Sequence, residues 1–152
     1  MGWRIIAVTF SVVTIAWAQS AHADEQCLSQ SELRDVARMG TVMGLGGALR
    51  RCGTCLDDRY QTAVDKYEAS GMLVEFRRAE AAIQTTRPKY EYADGLVRVA
   101  ARKYAGDLSA DCNACTQTAA AVDRLSSAAA RAQLYEAEAE RIKKLPGFKG
   151  CP

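Results

Sequence analysis

Arg50-Arg51-Cys52-Gly53-Thr54-Cys55-Leu56-Asp57-Asp58 is the stretch on which the fold turns. Two basic residues close one helical pattern, a glycine stops it, and two acids stand near the start of the next, as the helix macrodipole favours. Its two cysteines therefore sit at a turn between helices. A second motif of the same spacing, Cys112-Asn113-Ala114-Cys115, also lies at the start of an expected helix. The remaining cysteines, Cys27 and Cys151, stand near the two ends of the 152-residue chain.

On either side of this turn, four segments carry helical periodicity and none reads as a strand. The first runs from about Ser29 to Arg51, with Leu33, Val36, Ala37, Met43, Ala48 and Leu49 on one face. Gly40, Gly44 and Gly47 recur within it, and glycine weakens a helix; close approach of another helix is the expected reason. The second segment, about Cys55 to Thr85, carries the stripe Tyr60, Val64, Tyr67, Met72, Phe76, Ala79 and Ile83, with a kink or split expected at Ser70-Gly71. The third follows Pro88 and ends at Gly106-Asp107. The fourth starts near Ser109 as N-cap and runs to Leu145, before Pro146-Gly147. The expected fold is all-α: a four-helix up-down-type bundle stapled by disulfides.

Up-down-up-down order fixes where the cysteines meet. The turns carrying Cys52/Cys55 and Cys112/Cys115 fall at one pole, and Cys27 and Cys151 at the other. Cys27–Cys151 is the natural bridge there. At the four-cysteine pole three arrangements compete. The first cross-links the two motifs, as Cys52–Cys115 with Cys55–Cys112 or the parallel alternative. The second closes each motif on itself. The third is a zinc site of Cys52, Cys55, Cys112 and Cys115, whose spacing suits the metal but whose thiolates do not suit an oxidising compartment. A thiol–disulfide redox role for the CxxC motifs is a rival function, because a cysteine at a helix N-terminus has a lowered pKa. Such motifs usually sit in a βαβ context, however, and strands are not expected here.

The compartment is read from the first 23 residues. Arg4 supplies a positive n-region, Ile5 to Ala18 an apolar run, and Ala21-His22-Ala23 a small-x-small cleavage site. This order is that of a secretory signal peptide, leaving residues 24–152 as a single helical domain in the periplasm or the medium. Cleavage removes the only histidine, His22, and both tryptophans, Trp3 and Trp17. Without histidine there is no Ser-His-Asp or Cys-His machinery and no histidine-ligated zinc. Neither CxxC is followed by the His of a c-type haem site. No cofactor and no catalytic residue is expected. The formal charge of +2 gives no case for nucleic acid, and no membrane association is expected after cleavage.

Between residues 24 and 152, Leu, Ile, Val and Phe number 22, and alanine equals them. So thin a core calls for cross-links. The dibasic pairs Arg50-Arg51, Arg77-Arg78, Arg102-Lys103 and Lys143-Lys144 read as ordinary surface and helix-end charges. Glu136, Glu138 and Glu140 read as a solvated face, with Glu140 paired to Lys144. Tyr90 and Tyr92 cannot both face inward on one helix, so one of them is the candidate exposed binding aromatic. The sequence points to a small exported helical protein acting as a non-catalytic binding module, such as an inhibitor, an immunity-type protein or an envelope adaptor. Its expected partner is another protein, and its oligomeric state is open.

Overall fold

A computed structural model describes residues 26–108 and 111–152. The signal peptide and the Ser109 cap expected above lie outside these residues. The described chain is helical: α1 (Gln30–Arg51), α2 (Gly53–Leu56), α3 (Arg59–Ala69), α4 (Met72–Ile83), α5 (Arg87–Leu108), α6 (Cys112–Arg124) and α7 (Ala128–Ile142). Extended pairing among the described residues is limited to one bridge, Leu28 to Gly150.

The four expected segments are thus broken more often than the periodicity suggests. The second divides at Asp57–Asp58 and again at Gly71, whose φ of +82° a side chain would resist. The fourth divides after Arg124. There the Ser127 hydroxyl accepts from the Ala130 amide and starts a new helix. The Arg131 guanidinium donates to the carbonyls of Leu125 (2.9 Å) and Ser126 (3.0 Å). A continuous helix would have used those carbonyls for the amides of Ala129 and Ala130.

Helix α1 starts with a capping box, Ser29 accepting from the Glu32 amide and Glu32 accepting from the Ser29 amide. It is buried on several sides, from Leu33 and Val36 through Met39, Val42 and Leu45 to Leu49, as a helix inside a core must be. It touches α4, α5, α6 and α7. Met43, expected on the inner face, is instead 40% exposed. Its nearest neighbour is α5. A Cβ at Gly40 would lie 2.8 Å from the Ala100 methyl carbon, and one at Gly44 would lie 2.9 Å from the Ala101 carbonyl oxygen. The small residues therefore set the distance between α1 and α5. Gly47, grouped with them by spacing, has nothing within 4 Å of such a Cβ. Glu32 and Lys89, at the two helix starts, pair at 2.8 Å, so α1 and α5 run parallel.

Two apolar clusters stack along α1. One, nearer the chain termini, gathers Leu28, Leu33, Val36, Ile83, Val97 and Ile142. The other, nearer the CxxC motifs, gathers Val42, Leu45, Leu49, Leu56, Met72 and Val122. Phe76 packs against both.

Candidate functional site

The cysteines form the frame. Cys52 is bonded to Cys115 and Cys55 to Cys112, with Cα–Cα distances of 5.4 and 5.0 Å. This is the first of the three arrangements set out from the sequence. Cys27 is bonded to Cys151, 124 residues away, with Cα–Cα 5.0 Å. Beside it the Leu28 amide donates to the Lys149 carbonyl and the Cys151 amide to the Leu28 carbonyl, both at 3.0 Å. Cys52 and Cys115 are buried; Cys112 is exposed. The two bridges at this pole therefore differ in access to solvent.

Below that pole α1, α3 and α4 leave an open cavity of about 330 Å³. Val42, Met43 and Leu49 line it from α1, Tyr60, Val64 and Tyr67 from α3, and Leu73 and Phe76 from α4. Arg50 and Glu68 supply charge at its wall. The Tyr67 hydroxyl donates to the Val42 carbonyl at 2.9 Å. It reaches α1 over Gly46, where a Cβ would come within 2.8 Å of that hydroxyl. Burial pushes the Tyr67 hydroxyl up to about 12, with Glu68 adding to the shift and Arg50 opposing it. Tyr67 is therefore a neutral donor at physiological pH. Met43 and Leu73 are 40% and 38% exposed. The cavity is an apolar, aromatic-sided recess with a lip of exposed hydrophobic side chains.

The two tyrosines singled out in the sequence lie elsewhere. Tyr90 and Tyr92 are both half-buried and both pack on the cluster nearer the termini. The Tyr92 hydroxyl donates to the Gly147 carbonyl at 3.1 Å and accepts from the Lys149 amide. Each keeps part of its surface open. The segment after α7 thus folds back to the Tyr92 hydroxyl, in hydrogen bonds that stay exposed.

A polar centre that spacing did not reveal joins α4 to α7. Arg131, whose side chain is 10% exposed, donates through Nη2 to Glu75 Oε1 at 2.9 Å. Tyr135 donates its hydroxyl to Glu75 Oε2 at 2.8 Å. Burial works to raise the Glu75 carboxyl, but the hydrogen bonds from Arg131 and Tyr135 and the charges of Arg131 and Arg38 outweigh it and hold it below the ordinary range. Burial first, then the hydrogen bond and charge of Glu75, push the Tyr135 hydroxyl well up. Glu75 lies 56 positions from Arg131 and 60 from Tyr135, so no local pattern marks the three together.

The row of glutamates on α7 is also engaged. Glu136 pairs with Arg34 at 2.6 Å, Glu138 is 4% exposed and pairs with Arg141 at 2.8 Å, and Glu140 pairs with Lys143 at 2.6 Å rather than with Lys144. Glu138 is thus no part of a solvated face. Among the described residues no helix is long and apolar enough to cross a membrane. Comparison with family models, with curated proteins and with solved structures finds no match.

Proposed function

We propose that this is a small exported protein, periplasmic or secreted, that acts as a non-catalytic binding module for another protein. Its frame is read as an up-down-up-down arrangement of four limbs, α1, α2–α4, α5 and α6–α7. The parallel run of α1 and α5, and cysteine bridges at both poles, support that reading. The recess between α1, α3 and α4 carries the functional proposal. It is apolar, it includes the exposed side chains of Met43 and Leu73, and Arg50 and Glu68 at its wall offer one charge of each sign. Aromatic and methionine side chains in such a recess are the usual anchors of protein interfaces. The occupant these features suit is an amphipathic helix of the partner, with its apolar face in the recess and flanking charges of both signs against Arg50 and Glu68.

The disulfide pattern favours a frame over a redox centre. Thiol–disulfide exchange by a CxxC motif forms and breaks a bond between its own two sulfurs. Here each motif spends its sulfurs on the other motif. Site-specific photocrosslinking in the source cell tests the proposal. A photoreactive residue at Met43 or Leu73 is expected to capture one and the same protein, and one at Val99, exposed on α5, is expected not to. Equal capture at all three positions, or at none, refutes the assignment of the recess. Reduction of insulin by the purified protein would establish the redox reading instead.

A further inference from the structure

We infer that the face formed by α1, α4 and α7 holds a binding site for a small organic oxyanion, a phosphate or carboxylate group on a compact apolar body. Arg34, Arg38, Arg78 and Arg131, with Glu75 and Glu136, line a cavity of about 320 Å³ there. The site is separate from the recess described above. Leu73 and Phe76 of α4 line the recess, and Glu75 and Arg78 lie about 200° round the same helix.

The charges do not cancel. Arg131 is spent on Glu75 and on two carbonyls, and Arg34 on Glu136 at 2.6 Å. Arg38 uses Nη1 on Asp35 at 2.9 Å, and its side chain stays 31% exposed. Arg78 forms no ion pair among the described residues and is exposed at the rim. Two guanidinium groups thus retain donors. An anionic oxygen is the acceptor that such ionised donors bind most strongly. Guanidinium forks match phosphate and carboxylate geometry.

The cavity wall also says what accompanies the anion. Ala128 and Ala132 of α7 and the Tyr135 ring make its apolar side, and the Arg38 guanidinium lies 5.5 Å from the centre of that ring. A bare inorganic ion would leave this side uncovered. An oxyanion attached to a small apolar or aromatic group would cover it.

The test is titration of the oxidised protein with phenyl phosphate, benzoate and inorganic phosphate, followed by calorimetry and by NMR shifts. Phenyl phosphate or benzoate is expected to bind saturably, and whichever binds tighter names the group. Arg38→Gln and Arg78→Gln are each expected to weaken binding about tenfold or more. Arg77→Gln, one residue away and outside the cavity, is expected to leave it unchanged. Because Arg78 is exposed, its variant keeps the test valid even if Arg38→Gln disturbs packing. The inference is overturned if neither organic anion binds at about 10 mM, an affinity too weak for any built site. It is equally overturned if Arg77→Gln weakens binding as much as Arg78→Gln, or if inorganic phosphate binds as tightly as phenyl phosphate.

Discussion

Gly44→Ala adds one methyl group to the close contact between α1 and α5. The new Cβ would lie 2.9 Å from the Ala101 carbonyl oxygen and 3.0 Å from both Cβ and Cδ1 of Tyr104. The first of these is backbone and cannot rotate away, so α5 must move. Overpacking of this kind costs about 1–3 kcal/mol. Against it stands the gain in helix propensity, about 1 kcal/mol for glycine to alanine. The net expectation is a loss of up to about 2 kcal/mol. Gly47→Ala supplies the control, because no atom lies within 4 Å of its new Cβ and only the propensity gain of about 1 kcal/mol remains. The two alanines, three residues apart in one helix, should therefore move stability in opposite directions. Gly40→Ala should resemble Gly44→Ala, its Cβ falling 2.8 Å from the Ala100 methyl carbon. Removing that methyl with Ala100→Gly should recover the clash part of the loss, as coupled neighbours do. Urea unfolding with the disulfides intact gives the free energies. If Gly40→Ala and Gly44→Ala stabilise as Gly47→Ala does, the close approach of α1 and α5 is wrong.

Two further outcomes follow from the cross-links and the buried pair. Limited reduction followed by alkylation and mass mapping should open Cys55–Cys112 before Cys52–Cys115, because Cys112 is exposed while Cys52 and Cys115 are buried; the reverse order would contradict the packing at that pole. Glu75→Gln should cost about 2 kcal/mol, less than a fully buried pair would lose, because the Glu75 side chain keeps 28% of its exposure. The Glu75 carboxyl titrates lower folded than unfolded, so its contribution is present above its ordinary value of 4.5 and disappears as pH falls through the depressed one. The urea midpoint of the parent should accordingly fall more steeply than that of Glu75→Gln as pH drops below 4.5, and parallel curves would remove Glu75 from the acid transition.

Helical periodicity carried the class of the fold, because a stripe such as Tyr60, Val64 and Tyr67 is a local property of spacing. It did not carry the breaks. The divide after Arg124 depends on Arg131 capturing the carbonyls of Leu125 and Ser126, a competition that a continuous apolar stripe conceals. The grouping of the cysteines could be argued from order along the chain, since alternating helices place two turns at one pole and the termini at the other; which pairing forms among Cys52, Cys55, Cys112 and Cys115 could not. The recess was less legible. Its wall residues were visible as a helical stripe, but a stripe reads as core, and which of its members stay open depends on how far α1, α3 and α4 stand apart. Tyr92 shows the complementary effect, because Gly147 and Lys149, distant in the chain, bond to a side chain that looks free on its own helix.

What the sequence determined by itself was therefore what chemistry and local geometry decide: helices throughout, six cysteines grouped by chain order, and a single histidine at position 22. Tertiary structure alone decided which surfaces remain open and which charges remain unsatisfied. Glu75, Arg131 and Tyr135 meet only when α4 lies against α7, and Arg38 keeps a buried donor without an acceptor only in that setting. Burial and partner choice are sums over contacts distant in the chain, and no window along the sequence contains them.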